Sequence, residues 1–176
     1  MPRVTSASTL RRSLLLAGML LACGCAAPAL DQQSVADAAR PGLPSHSIPP
    51  EVRDLLSHIN RHRRELGCSI LVWDRRLAAL GLRHSEDMAR RQFFDHTNPD
   101  GLDPFERMER AGLRYHAAAE NLAMGATSGD EVFEGWMNSR GHRRNLENCV
   151  YARIGIGRYR NYWSCELAKL MPESTP

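Results

Sequence analysis

Side chains able to move protons, attack carbon or ligate a metal stand in otherwise apolar or turn-rich surroundings at His84, His96, Glu120, Glu134, Ser139 and His142. Two neutral imidazoles and one carboxylate suffice for an open metal site that keeps a position for water, and such a water can act as a nucleophile. A plainer reading serves the same residues: His96 packs beneath the Phe93-Phe94 turn, Glu120 accepts backbone hydrogen bonds, and His142 caps a helix. Ser139 with His142 and a nearby glutamate invites a serine-hydrolase reading. No GxSxG, HExxH, P-loop or CxxC is present, however, and a break in a helix explains Ser139 equally well. His58 and His62 fall on one helix face near Glu65, but Arg61, Arg63 and Arg64 surround them and would repel a cation, so the pair reads as solvated surface.

These residues need elements to position them. Val52, Leu55, Leu56, Ile59 and Leu66 form one apolar stripe after Pro49-Pro50-Glu51, a helix closed by Gly67. Ser69 to Trp73 is a short extended run. Asp74 can cap a second helix with Leu77, Leu80, His84 and Met88 on one face, ending near Phe93. His84 therefore either joins the other polar residues or is a hydrogen-bonded core histidine. Asn98-Pro99-Asp100-Gly101 is turn chemistry, and Asp103-Pro104 caps a short helix ending at Gly112. Thr127 to Asp130 caps a helix carrying Val132, Phe133, Trp136 and Met137, which breaks near Gly141 before a last turn around Asn145 and Leu146. Tyr151 to Arg158 and Tyr162 to Lys169 read as antiparallel strands around Arg160-Asn161. Helices followed by a hairpin, with one earlier strand, imply an α+β sandwich of layers.

The first twenty-two residues hold Arg3, Arg11 and Arg12 and no acid, so removing them takes the chain of 176 residues from a net charge of +3 to neutrality. That balance argues against phosphate-backbone binding and hence against nucleic acid as a partner. Arg11-Arg12 precede the apolar run Leu14 to Ala22, long enough for a signal-peptide core and too short to span a bilayer. The run ends Leu20-Leu21-Ala22-Cys23, which resembles a lipoprotein lipobox. Residues 1–22 are therefore expected to be a signal peptide, 23–50 a lipidated Cys23 with a Pro-rich tether, and 51–176 the domain. Ordinary cleavage near Ala26 or Ala27 is the alternative. Of the remaining cysteines, Cys149 and Cys165 flank the hairpin and are the expected bridge, with Cys68 competing for either and the reduced, buried state as the alternative.

Four blocks in order carry a resemblance: His84-Ser85-Glu86-Asp87-Met88, Phe93-Phe94-Asp95-His96 with Gly101, Ala119-Glu120-Asn121-Leu122-Ala123, and Trp136-Met137-Asn138-Ser139-Arg140-Gly141-His142. Continued through Ile154-Gly155-Ile156-Gly157 and Tyr162-Trp163, the set resembles the bacterial branch of the CAP superfamily, which includes cysteine-rich secretory proteins, venom antigen 5 proteins and plant pathogenesis-related proteins. The resemblance implies a three-layer α-β-α sandwich with a central antiparallel sheet. It also implies a cleft of two histidines and two glutamates that in some members holds a divalent metal such as zinc. His96, Glu120 and His142 match three of the four. The second glutamate has no clean match: Ser139 stands where the animal pattern places it, and Glu134, two residues before Trp136, would point elsewhere on the helix.

The expectation is an exported protein, either a lipoprotein held to the envelope membrane through its N-terminus or secreted. It acts as a binding module for a small apolar or envelope ligand through a cleft containing His96, Glu120, His142, Ser139 and His84, with a divalent metal as a candidate occupant of the first three. The leading reading is not an enzyme. A metal-assisted, peptidase-like hydrolase is the second reading, and an interaction domain with a vestigial cleft the third.

Overall fold

The structure, a computed structural model, describes residues 3–10 and 48–172. The apolar run of the leader, Cys23, Cys25 and most of the tether lie outside the described residues. A short strand β1 (Arg3–Leu10) is followed by helix α1 (Pro50–Glu65), strand β2 (Val72–Trp73), helices α2 (Arg75–Arg91) and α3 (Pro104–Arg110), and strand β3 (Tyr115–Met124). Helices α4 (Gly129–Met137) and α5 (Arg140–Glu147) precede the hairpin β4 (Arg153–Tyr159) and β5 (Tyr162–Leu170). The sheet runs β1-β3-β5-β4-β2, antiparallel except where β2 pairs with β4. Among the described residues no helix is long and apolar enough to cross a membrane.

Local chemistry sets the helix ends. Asp74 accepts from the amides of Arg76 and Leu77 at the start of α2, and Gln92 in the left-handed region (φ 57°) stops it. Asp103 and Glu106 form a reciprocal capping box at α3. One sheet face meets α2 and α3 through Leu77, Leu80, Met108, Leu113, Tyr115, Ala118 and Ala168. On the other, Trp136 of α4 donates to the Leu122 carbonyl (3.0 Å) and Asn121 of β3 donates to the His142 carbonyl of α5 (3.2 Å). Helices therefore cover both faces, as the α+β sandwich requires. Gly155 and Gly157 let α2 descend onto β4: a Cβ at either would fall on the main chain of α2.

Several expectations are corrected. The disulfide joins Cys68 to Cys149, not Cys149 to Cys165. Cys165 lies inside β5, fully buried as a free thiol opposite Asn121 and Ile156, whereas the turn after α1 carries Cys68 to the end of α5. Strand β3 was not legible: alanine-rich Tyr115–Met124 has no period-two pattern because it is buried on both faces. The turn around Asn145 is the full helix α5. Arg63, read as surface, is buried and donates to the carbonyls of Ser69, Leu146, Asn148 and Tyr151, tying α1 to the end of α5 beside the disulfide. Within the expected leader, Arg3–Leu10 pairs with β3 from Arg3↔Met124 to Leu10↔Ala117. Val4, Thr5 and Thr9 favour extended backbone, and no charge interrupts the run.

Candidate functional site

The site is built around Glu120, which alternation along β3 turns toward the α3 side of the sheet, the face shared by Ala118. Its carboxylate is fully buried. His96 Nδ1 meets Oε1 at 2.6 Å and Arg107 of α3 donates to Oε2 at 2.6 Å. The same guanidinium donates to the main-chain carbonyls of His96 (2.6 Å) and Leu102 (2.9 Å). Arg107 thus pins both the carboxylate and the loop that carries the imidazole. That loop is also stiffened by Asn98, whose Oδ1 accepts from the amides of Asp100 and Leu102.

Glu166 of β5 lies directly across the sheet from Glu120, with Ser164 bonded to both carboxyls, at 3.2 Å to Glu120 and 3.0 Å to Glu166. Burial and then the neighbouring Glu120 charge push Glu166 well above the usual carboxylate range. Burial raises Glu120 too, while Arg107 acts against it. Glu166 is therefore the neutral acid of the pair and Glu120 the carboxylate facing Arg107. With Glu120 ionised, His96 carries its proton on Nδ1 and presents a bare Nε2.

His142 lies in the first turn of α5, stacked near Trp136 with ring centroids 6.5 Å apart. It is 2% exposed, and among the described residues neither of its ring nitrogens, nor Nε2 of His96, has a side-chain hydrogen-bond partner. Both imidazoles lie beside the main chain of Thr5, which favours their charged forms, but burial outweighs it and holds both below the ordinary histidine value. His84 is the hydrogen-bonded core histidine of the two readings. Its Nε2 bonds the Asp95 carbonyl at 3.0 Å, so it props the residue before His96, and burial followed by the Arg107 charge lowers its pKa to about 3.

The structure bonds His96 to Glu120 and sets His142 near enough to His96 for their charges to interact, with His84 behind the loop. Ser139 sits at the start of α5 without a side-chain capping bond, and Glu134 is exposed on α4. His58 and His62 are spent elsewhere, His62 on Glu147 at 3.0 Å and His58 on Asp130. Sequence reasoning missed Glu166, Ser164, Arg107, Asn121 and Asn145. A polar Ser164-x-Glu166 alternation within an apolar strand was the available signal for the first two; nothing local marked Arg107.

A three-ligand metal centre does not fit this arrangement. Two imidazoles have nitrogens without a side-chain partner among the described residues, but both Glu120 oxygens are taken and a guanidinium stands 2.6 Å from one of them. Among the described residues no group of three His, Cys, Asp or Glu side chains is placed to hold a metal ion.

The family model for the cysteine-rich secretory protein family, CAP, matches residues 56–169, most of the described domain. The chain belongs to the CAP family. Two Bacillus subtilis (strain 168) proteins are similar to it. The uncharacterized protein YkwD is 34% identical over 111 residues, which are 63% of this chain and 43% of that protein. The uncharacterized membrane protein YlbC is 32% identical over 117 residues, 66% of this chain and 34% of that protein. This CAP chain therefore spans less than half the length of these relatives. Among solved structures, an extracellular Bacillus anthracis protein containing an SCP domain aligns with TM-score 0.64 at 26% identity, covering 71% of this chain and 45% of that one. An outer surface protein of Borrelia burgdorferi aligns with TM-score 0.64 at 22% identity, covering 72% and 98%, a likeness of fold.

Proposed function

We propose that this CAP-domain protein is an exported, lipid-anchored binding module of the cell envelope whose ligand contacts His96 and His142. Export and anchoring rest on the basic leader, its short apolar run and the lipobox-like Leu20-Leu21-Ala22-Cys23. The extracellular and membrane descriptions of the Bacillus relatives agree with that placement.

The observation that carries ligand binding is a set of three buried imidazole nitrogens, Nε2 of His96 and both nitrogens of His142, that have no side-chain hydrogen-bond partner among the described residues and meet only the main chain of Thr5. A buried polar atom without a partner costs roughly 1–3 kcal/mol, and a ligand that satisfies it recovers that energy. Neutral imidazoles offer a bare acceptor on His96 and a donor with an acceptor on His142. The chemistry favours a ligand carrying amide-type donors and acceptors over a purely apolar one.

The test is nitrogen-15 NMR of the imidazole signals, titrated with N-acetylated amino sugars, short peptide amides and fatty acids. A hydrogen-bonding ligand is expected to move the His96 and His142 signals saturably, and His142→Ala to weaken its binding about tenfold, the loss of roughly 1.4 kcal/mol. Signals that stay fixed with every probe would remove the cleft as a binding site.

A further inference from the structure

We propose that the outer edge of β3 is a docking site for an extended peptide with hydroxyl-bearing side chains, and that Arg3–Leu10 is the chain's own occupant of it. The proposal deepens the reading of the His96–His142 cleft and rests on it.

Three observations support it. First, β1 lies outside the family domain: the CAP match starts at residue 56, and the sequence from 11 to 47 separates β1 from α1. Without β1 the edge of β3 from Ala117 to Met124 would present unpaired main-chain groups beside the site. Strand addition to such an edge is a recurring way of binding peptides, with main-chain bonds supplying affinity and side-chain pockets specificity.

Second, the seat has polar fittings for what occupies it. Asn145 donates to Ser6 Oγ at 2.7 Å and to Asn121 Oδ1 at 2.8 Å, and Asn121 donates onward to the His142 carbonyl. This amide ladder connects the docked strand to the helix that bears His142. Gly141 of α5 stands beside Ser6, whose Cβ and Oγ a methyl group there would meet at ordinary van der Waals distance. Ser6 is itself exposed, so the fitting at this position is the hydrogen bond from Asn145.

Third, Thr5, the neighbouring residue, passes beside both His96 and His142 while pairing with Leu122. Through Thr5 the docked strand is joined to the His96–His142 site. Removal of the leader ahead of Cys23 would vacate the edge and free it for an extended segment of another protein.

The test uses the full chain in two forms. In Ser6→Pro/Ala7→Pro, alternation ensures that one of the two lost or distorted amides was directed at β3, so the strand is released. In the second form a site-specific protease site placed within residues 26–47 allows the strand to be cut free with no change to the sequence of residues 48–172. The probe is a fluorescent peptide with the sequence of residues 3–10, read by anisotropy. The released and cut chains are expected to bind it one to one, at least tenfold more tightly than the intact chain. Asn145→Leu should weaken binding about tenfold, and so should Ser6→Ala in the peptide, which removes the acceptor that Asn145 bonds. Equal binding of a scrambled peptide, or no binding by the cut chain, overturns the proposal. If the cut chain ignores the peptide while the amide probes still move the His96 and His142 signals, the strand is wrong and the cleft stands. If neither responds, both fall.

Discussion

Glu120 and Glu166 face each other across β3 and β5 with one serine hydroxyl between them, yet only Glu120 has a cation at hydrogen-bond distance. The two carboxyls are therefore unequal. Because its pKa is raised in the fold, Glu166 contributes stability below the unfolded glutamate value that is lost as pH climbs above it. Glu166→Gln keeps the shape and the neutral state, and is expected to change stability at pH 7 by less than about 1 kcal/mol or to increase it. Glu120→Gln strands a buried guanidinium and should cost about 3–5 kcal/mol. Urea denaturation of both variants at pH 7 decides the matter, and equal losses would contradict the assignment.

Gly157 separates steric from conformational demands on glycine. A methyl there would fall on the main chain of Gly81 and Leu82, two backbones that cannot both move aside. Gly157→Ala should cost more than about 3 kcal/mol, at or beyond the upper end of overpacking penalties. Gly67 faces open space but holds φ at 74°, so Gly67→Ala should cost only about 1–2 kcal/mol. Thermal melts that rank the two in the opposite order would show that α2 is not seated on β4 as described.

Legibility followed periodicity and capping. The stripe Val52-Leu55-Ile59, the Asp74 cap and the Asp103-Pro104 start all name elements found at those places. Strand β3 escaped because a strand buried on both faces has no alternation, and its alanines favour helix in isolation. His96, Glu120 and His142 were readable through the ordered family blocks. Arg107 and Glu166 were not, because each acquires its role from a partner distant in sequence: Arg107 from Glu120, and Glu166 from a strand pairing that local pattern could not supply. Burial of Arg63 was equally hidden, since four carbonyl partners, on the loop after α1, the last turn of α5 and the segment that follows it, compensate a charge that its neighbours Arg61 and Arg64 leave in solvent.

The disulfide and Arg63 act on the same junction, where α1 meets the end of α5. Cys68 and Cys149 close a separation of 81 residues, so Cys149→Ser should lower stability by about 2–4 kcal/mol through release of the unfolded chain. Arg63→Met leaves the buried carbonyls of Leu146 and Tyr151 without their donor and should cost about 3 kcal/mol. Cys165 sits in the sheet, and its thiol should react with iodoacetamide only after unfolding. Peptide mapping without reductant checks all three cysteines, and a Cys149–Cys165 linked peptide would refute the pairing.

Acid should weaken the fold through its buried histidines. His84 falls to about 3 in the folded state, chiefly by burial and then by the Arg107 charge, from an ordinary value of 6.5. Between those values the unfolded chain binds the proton and the folded one does not, so stability falls as pH drops from about 6.5 toward 3, at close to 1.4 kcal/mol per pH unit. His96 and His142 shift the same way and steepen the fall. The glutamate pair works in the opposite direction above the unfolded glutamate value, so single variants are needed to isolate each contribution. His84→Gln retains a donor for the Asp95 carbonyl and removes the titration. Its denaturation midpoint should fall less steeply than that of the unaltered protein between pH 6.5 and 4, and parallel curves over that range would place the proton elsewhere.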